Sequence, residues 1–419
     1  MKKRVLALVL AINCTVFMTA CGNSEKPTVN EEHDTASQNG DSGENTAADD
    51  VSKQSTPDDT DTKSSVSNTP ITLSDDLYDF QISIDGTVYQ FPMWYSDFEA
   101  LGWEFDGDST ETLSSGRYRN LQRWSKDNAS VCTLLGNLSM NTVAFSDSMV
   151  AGIYIGKYDV DECDWEILLP AGIKWGVSTA DDIKAAYGKP TSDIDSVMFY
   201  QMTYYYDKQR EIELCVGKDS GVLEVIRIDN LVELEGTDNS VSAEVPDIIK
   251  NYEAPTDLGD DFYSFHVELE GNLYKLPCPV SEFLANGFTI DESKSDMEIA
   301  SGKVGWVYLH YNNKSFHALA ENYADYATTV ENCMLTAVES NFSSDFALTI
   351  PGGIKKGDSE DDLKKAIEGF NVEVYEPSSD WFTTYSIYDP AGDSLDCYDI
   401  TVKNGVVDRI KVSNKKEPE

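Results

Sequence analysis

Four histidines are the first residues to consider for metal or acid–base chemistry, because an imidazole binds metals and titrates near neutral pH. They are His33, His266, His310 and His317. His310 and His317 lie in the same stretch, but no nearby cysteine or carboxylate completes the spacing of a metal site. We therefore expect structural histidines, no resident metal and no cofactor.

Cysteines are the other residues that could act as nucleophiles or ligands. Cys14 lies inside an N-terminal apolar stretch, and Cys21 lies directly after it. Domains of the size expected here do not need disulfides, so buried free thiols are favoured over disulfides for the rest. These remaining cysteines are Cys132, Cys163, Cys215, Cys278, Cys333 and Cys397.

Two short stretches imitate functional motifs. Residues 40–45 read GDSGEN, like the context of a serine-protease nucleophile, but the polar segment around them cannot fix a base or an oxyanion hole. Residues 159–166 read DVDECDWE and lack the glycine and the terminal glutamate of an EF-hand loop. A solvated turn is favoured over a calcium site for the second stretch.

Aromatic side chains are the best candidates for binding residues. Tyr204 and Tyr206 share one face of a predicted strand with Met202, and Tyr205 lies on the other face. Trp175 lies in the turn before a neighbouring helix. One face of the strand must pack in a core. Trp175 and whichever tyrosines face outward are predicted to form a rigid patch that binds protein or glycan.

The N-terminus has the layout of a secretory signal, with basic residues 2–4 followed by an apolar run over residues 5–12. Residues 18–21, MTAC, resemble the lipobox of bacterial lipoproteins. That resemblance implies removal of the signal, a diacyl lipid on Cys21 and extracytoplasmic anchoring to the outer face of the membrane. An ordinary thiol after a generic cleavage site is the alternative.

The net charge is −42, so nucleic acid and anionic lipid surfaces would repel the chain. Residues 22–70 contain no aromatic side chain and are rich in Ser, Thr, Asn, Asp and Glu. Such a segment buries too little apolar surface to offset its ordering entropy. It is predicted to be a flexible acidic tether, and no nucleic-acid partner is expected.

The elements that position the aromatic residues occur twice. Residues 79–92 alternate around Asp85-Gly86, and residues 264–277 alternate around Glu270-Gly271, which predicts two β-hairpins. Residues 169–190 and 350–370 then each predict a short helix, with Thr179 or Ser359 as the N-cap. A three-strand meander follows each helix, over residues 197–206, 211–216 and 222–228 and over residues 381–388, 395–402 and 406–412.

The sequence therefore predicts an α+β fold with two tandem repeats. Each repeat is expected to be an antiparallel sheet, made of the hairpin and the meander, packed with short helices. The predicted segments are a signal peptide (1–20), an acidic tether (21–72), repeat domain 1 (73–231), a linker (232–257), repeat domain 2 (258–413) and a tail (414–419).

Residues 170–228 and 351–412 share a GI..G.S..D pattern, a glycine after the helix and a meander. This pattern resembles the helix-plus-sheet module of the β-lactamase-inhibitor-like and SmpA/OmlA (BamE-like) superfamily. The hairpin before it looks like lipoproteins of Gram-positive anaerobes. The resemblance implies an exported, non-enzymatic protein that binds other proteins, and it transfers no binding residue to this chain.

These features favour a non-catalytic, surface-anchored lipoprotein with two related binding modules. The expected partners are the membrane, through the lipid, and an envelope or extracellular protein or a cell-wall glycan. A solute-binding lipoprotein of a transporter is one alternative, but that class needs two α/β lobes with βαβ crossovers. A cell-wall-acting enzyme is the other, and it needs a paired acid and base on packed elements.

Overall fold

The computed structural model describes residues 72–160, 163–340, 346–377, 381–390, 392 and 395–417. Cys21, the signal-like stretch and the acidic tether lie outside these residues, and so does the GDSGEN stretch. None of the helices in the described ranges combines the length and the apolar character of a membrane span. We call residues 72–231 the first half and residues 258–417 the second half.

The predicted α+β class is wrong, because the chain is mostly β. Among the residues that the structure describes, strands account for 42% and helices, with the 3-10 turns included, for 16%. The α-helices among the described residues have between four and eight residues each, too few to cover sheets as a helical layer in two repeats. They are α1 (Tyr95–Ala100), α2 (Ala180–Tyr187), α3 (Asp247–Lys250), α4 (Val280–Ala285) and α5 (Glu360–Ala366).

Short strands make up the first half. They are β1 (Gln81–Ile84), β2 (Thr87–Gln90), β3 (Met93–Trp94), β4 (Glu104–Phe105), β5 (Thr112–Leu113), β6 (Arg117–Lys126), β7 (Ala129–Asn137), β8 (Val143–Ala144), β9 (Met149–Ile155), β10 (Ile167–Leu168), β11 (Ser192–Asp195), β12 (Phe199–Tyr205), β13 (Arg210–Gly217) and β14 (Leu223–Asn230).

The second half has a similar series. Its strands are β15 (His266–Leu269), β16 (Asn272–Lys275), β17 (Cys278–Pro279), β18 (Thr289–Ile290), β19 (Glu298–Ile299), β20 (Val304–Tyr311), β21 (Lys314–Glu321), β22 (Thr328–Thr329), β23 (Met334–Leu335), β24 (Ala337–Glu339), β25 (Leu348–Ile350), β26 (Ile354–Lys355), β27 (Val372–Tyr375), β28 (Thr383–Tyr388), β29 (Cys397–Lys403) and β30 (Val406–Ser413).

Single 3-10 turns connect many of these strands. They lie at Leu77–Asp79, Phe145–Asp147, Lys157–Asp159, Pro170–Gly172, Phe262–Ser264, Val330–Asn332 and Pro351–Gly353.

Both predicted hairpins are confirmed. Ile84 pairs with Thr87 and Leu269 pairs with Asn272, which leaves a two-residue turn in each hairpin. Both central residues of each turn have positive φ, 47° and 77° in the first and 50° and 86° in the second. This is the geometry of a type I′ turn, which matches the twist of the flanking strands.

The predicted meanders are also confirmed as β12–β13–β14 and β28–β29–β30. However, the hairpins do not join the meander sheets as expected. Strands β1 and β2 belong to a separate sheet with β10, and β15 and β16 belong to one with β25 and β26. Each meander is instead extended by a strand from the middle of its half. Strand β9 pairs with β14, and β24 pairs with β30.

In the first half, β9 joins the meander to a hairpin made of β6 and β7. The result is a sheet of nine strands in the order β11-β12-β13-β14-β9-β7-β6-β4, with β3 paired to β9. In the second half the corresponding segment is interrupted at Thr336, between β23 and β24. Two five-stranded sheets result, β17-β23-β21-β20-β18 and β24-β30-β29-β28-β27.

Helices α2 and α5 begin at the predicted caps. The Thr179 hydroxyl accepts a hydrogen bond from the Asp182 N–H, and the Asp182 carboxylate accepts one from the Thr179 N–H. This reciprocal pair satisfies backbone donors that the first helical turn leaves without a helical partner. Ser359 likewise accepts from the Asp362 N–H at 3.1 Å.

Each half has its own large hydrophobic core. In the first core Trp103 donates its indole N–H to the Tyr89 hydroxyl at 3.0 Å, and both side chains are buried. In the second core Tyr274 and Phe288 take the corresponding places, and the buried Tyr274 hydroxyl has no hydrogen-bond partner. The Phe288 side chain has no donor group to offer it.

The two halves and the segment between them are hydrogen-bonded to one another around Asn141. The Asn141 amide donates to the carbonyls of Asp238 and Ser240, at 3.2 and 3.1 Å. Its carbonyl oxygen accepts from the N–H of the buried residue Ala327 at 2.7 Å. One side chain therefore contacts the first half, the connecting segment and the second half.

Candidate functional site

One recess on the first half is an open cleft of about 420 Å³, which we call the aromatic cleft. The 3-10 turn at Leu77–Asp79, the C-terminal end of α2 and strand β12 form its walls. Three tyrosines and two aspartates line most of it. The lining residues are Asp75, Asp76, Leu77, Tyr78, Ala186, Tyr187 and Tyr204.

One wall depends on a short turn with a specific cap. The Asp76 carboxylate accepts from the Tyr78 N–H at 2.9 Å, which starts the 3-10 turn. Phe80 ends the turn in the left-handed region, with φ of 52°, and its N–H donates to the Leu77 carbonyl. Leu77 then points into the core, while Tyr78 stays half-buried at the cleft.

Helix α2 supplies the opposite wall through Tyr187, in its last turn. Ile183 is fully buried beneath the helix, which fixes the face that packs on the sheet. The Tyr187 hydroxyl donates to the Pro170 carbonyl at 2.5 Å. Burial raises the pKa of this hydroxyl above its usual value. Its ring therefore serves as a fixed apolar surface rather than as an acid or base.

Tyr204 forms the floor of the cleft and is only 2% exposed. It shares a face of β12 with the fully buried Met202, as predicted from alternation. Its hydroxyl donates to the Gly188 carbonyl at 3.2 Å, and its ring meets Tyr187 edge-on at 5.9 Å between centroids. Burial raises the pKa of Tyr204 to about 12, so it stays neutral at ordinary pH.

Tyr206 extends the aromatic surface beyond the cleft. It follows the end of β12, is 54% exposed and packs edge-on against Tyr78 at 5.4 Å. The Arg210 guanidinium lies over the Tyr206 ring at 4.0 Å and pairs with the Asp207 carboxylate. Tyr205 faces the other side of the sheet and is 46% exposed. The structure therefore brings together Tyr204 and Tyr206, but not Tyr205.

Trp175 lies at the other end of the meander. Gly176, the next residue, donates its N–H to the carbonyl of Leu223, the first residue of β14. Tyr205 is at the opposite end of β12, roughly 20 Å away at about 3.3 Å per residue. Trp175 is half-buried against the first core. Trp175, Tyr204, Tyr205 and Tyr206 therefore do not lie on one surface. A binding role for any of them stays a prediction.

A second recess, of about 350 Å³, lies at the N-terminal end of α2. Lys184 and Lys218 approach the ring of Tyr200 at 4.5 and 5.7 Å, and the Tyr200 hydroxyl donates to Asp193. Lys218 also pairs with Asp195. Both lysines of this recess therefore lie beside an aromatic ring of the chain itself, and the recess offers fewer free groups for a ligand than the aromatic cleft.

Among the described residues, no three His, Cys, Asp or Glu side chains come together as a metal site. Free thiols, as favoured from the sequence, occur at Cys132, Cys215, Cys278, Cys333 and Cys397. Burial raises the pKa of Cys215, Cys278, Cys333 and Cys397, which makes these thiols poor nucleophiles. What the aromatic cleft offers chemically is ring faces beside carboxylates, which suits binding.

Sequence reasoning missed Asp75, Asp76 and Tyr78, although a signal for them exists. Residues 75–80 read DDLYDF and residues 260–265 read DDFYSF, so the turn that forms the cleft wall recurs in the second half. A single 3-10 turn gives no hydrophobic periodicity, and only this recurrence could have revealed it.

Comparison of the chain with family models, with curated proteins and with solved structures finds no match in any of the three. The resemblance to the BamE-like superfamily stays an expectation.

Proposed function

We propose that this protein is a non-catalytic binding protein that holds a protein partner at the aromatic cleft of its first half. The supporting observation is the open cleft itself, in which the half-buried Tyr78 and Tyr187 present ring surface beside Asp75 and Asp76, above the buried Tyr204. Aromatic side chains held by a rigid scaffold bury much area at little entropic cost, which is why they dominate protein interfaces.

The proposal includes a cellular location. A diacyl lipid on Cys21 would hold the chain at the outer face of the membrane, where the partner is an envelope or extracellular protein. A cell-wall glycan is the alternative ligand, since sugar rings also stack on tyrosine. The net charge of −42 argues against nucleic acid at this site.

Strand direction argues against the transporter alternative. Every ladder between the named strands is antiparallel. Solute-binding lipoproteins need parallel strands joined by helical crossovers in two lobes. A cell-wall-acting enzyme would need a paired acid and base, and burial raises the pKa of Tyr187 and Tyr204 further from neutral pH, so these two hydroxyls do not supply that pair.

Site-specific photocrosslinking on whole cells tests the proposal. A benzophenone amino acid replaces Tyr206, beside the cleft, or Tyr158, which is 88% exposed in a different turn of the first half. We expect an envelope protein to be crosslinked from position 206 and not from position 158. No protein crosslinked from position 206, or the same protein crosslinked equally from both positions, contradicts the proposal.

A further inference from the structure

The second half builds a similar recess from the same two elements, with Phe262 and Ile367 in place of Leu77 and Tyr187, and its own Phe370 packs there. Phe262 and Tyr263 stand where Leu77 and Tyr78 stand in the first half, in a 3-10 turn capped by Asp261 as Asp76 caps the other. Ala366 and Ile367, at the end of α5, correspond to Ala186 and Tyr187, at the end of α2.

Phe370 packs against the 3-10 turn that forms one wall of this recess. Its ring meets Phe262 edge-on at 5.1 Å and Tyr263 edge-on at 5.2 Å between centroids, and it packs against the second core. The next residue, Asn371, donates its N–H to the Tyr263 hydroxyl at 3.0 Å, which holds the segment against the turn. A phenyl ring carried by the turn after α5 is thus the group that fills this geometry.

The first half has no such ring at the matching position. Gly188 directly follows Tyr187, with φ of 79°, whereas Glu368 separates Gly369, with φ of 93°, from Ile367. Counted from the glycine, Lys189 stands opposite Phe370, and counted from the helix N-cap, Pro190 does, so neither alignment places an aromatic ring there. Lys189 is exposed to solvent. The aromatic cleft therefore remains open where its counterpart is filled.

We infer that the aromatic cleft takes an aromatic side chain of the partner, held as Phe370 is held in the second half, with a basic residue beside it. This inference rests on the proposed function and names the group that the cleft recognises. The basic neighbour follows from the charge of the lining, because Asp75 and Asp76 are its charged groups. Carboxylates at the rim attract a cation next to the buried ring.

Two other occupants fit less well. The chain's own segment at residues 22–70 contains no Phe, Tyr or Trp, so it cannot supply the ring. A second copy of the chain would bring another net charge of −42 to a rim that is already acidic. A basic, aromatic segment of a different protein satisfies both the shape and the charge.

Binding of three blocked tripeptides to the full chain tests the inference by saturation-transfer NMR. The peptides are acetyl-Lys-Phe-Lys-amide, acetyl-Lys-Ala-Lys-amide and acetyl-Glu-Phe-Glu-amide. We expect saturable binding of the first peptide alone, weakened about tenfold by Tyr78→Ala, as for loss of a central aromatic contact. Tyr158→Ala, on the exposed turn, is the matched control and should leave binding unchanged. Equal binding of the Phe and Ala peptides, or no binding, overturns the inference.

The Phe370→Ala variant provides an independent measurement. Removing the internal ring opens the second cleft, so the number of bound Lys-Phe-Lys peptides per chain should rise from one to two. A folded variant that still binds one peptide overturns the argument from Phe370. If this variant does not fold, the Tyr78→Ala comparison decides alone.

The outcomes also separate the inference from the proposed function. If a protein is crosslinked from position 206 and an excess of the Lys-Phe-Lys peptide does not reduce the crosslinking, the inference is overturned and the proposed function stands. Peptide binding without any crosslinked protein supports the cleft chemistry and overturns the proposed partner. Loss of both overturns both.

Discussion

Replacing Tyr89 or Tyr274 by phenylalanine should change stability in opposite directions. Both side chains are buried in equivalent places, one in each core. Tyr89 accepts a hydrogen bond from Trp103, whereas the Tyr274 hydroxyl has no partner. Asn286 approaches Tyr274 and lowers its pKa against the raising effect of burial, but it makes no hydrogen bond to the Tyr274 hydroxyl.

The size of each effect follows from what the substitution leaves behind. Tyr89→Phe leaves the buried Trp103 N–H without an acceptor, which costs about 1–3 kcal/mol of folding free energy. Tyr274→Phe removes a desolvated hydroxyl that has no bond to lose, so the variant should be unchanged or up to about 1 kcal/mol more stable. The stacked ring contact with Phe283, at 4.2 Å, is preserved.

Equilibrium urea unfolding measures both variants. Tryptophan fluorescence reports the first half, which contains most of the tryptophans, and hydrogen exchange of the amides in β15 and β16 reports the second. The unfolding midpoint should fall for Tyr89→Phe and stay or rise for Tyr274→Phe. Equal destabilisation by both substitutions, or a greater loss for Tyr274→Phe, would refute the reasoning about the unpaired hydroxyl.

Three further predictions concern other parts of the chain. Asn141→Ala removes the hydrogen bond from the Ala327 N–H and should lower the free energy of unfolding by about 1–3 kcal/mol, measured by calorimetry. The control Asn128→Ala, in an exposed turn, should leave it unchanged. Equal thermal midpoints for the two variants contradict this prediction. Burial and Lys275 lower the pKa of His266 from 6.5, so the unfolded chain binds that proton first and stability falls as pH drops below about 6.5. His266→Gln should reduce this loss in urea unfolding at two pH values, and an unchanged pH dependence contradicts it. Cys21→Ser should move the exported protein from the detergent phase to the aqueous phase on partitioning, and a wild-type protein already in the aqueous phase contradicts lipidation.

Local features of the fold were predictable from the sequence because local chemistry determines them. The Asp85-Gly86 turn and the Thr179 cap each need particular residue types at adjacent positions, and both form as expected. The meanders were predictable because their strands alternate regularly. The fold class was not predictable in the same way, because short amphipathic stretches predict helices without showing that these helices are too short to cover a sheet.

The hairpin of β6 and β7 was not anticipated, although these are the longest strands of the first half. Most side chains of β6 are exposed, and its pairing with β7 shifts register between Arg119 and Gln122. A bulge in a polar strand breaks the alternation on which such a prediction depends. Without that hairpin, the joining of the meander through β9 could not be foreseen.

The candidate site was predictable in part. Alternation placed Tyr204 and Tyr206 on one face, and both contribute to the surface at the cleft. Trp175 is close to this strand in the topology but lies at its other end, because the antiparallel register sets the distance. Asp75 and Tyr78 come from a turn far away in sequence, and only the tertiary fold brings them to Tyr204.

Strand β9 has a mechanical consequence for the first half. A nine-stranded sheet with a continuous β9 resists bending, since any flexure must strain ladders on both sides of that strand. In the second half the ladder stops at Thr336, and the two smaller sheets are held together through one shared core instead. The open cleft is thus built on the half with the continuous sheet, where a binding surface retains its shape before its ligand arrives.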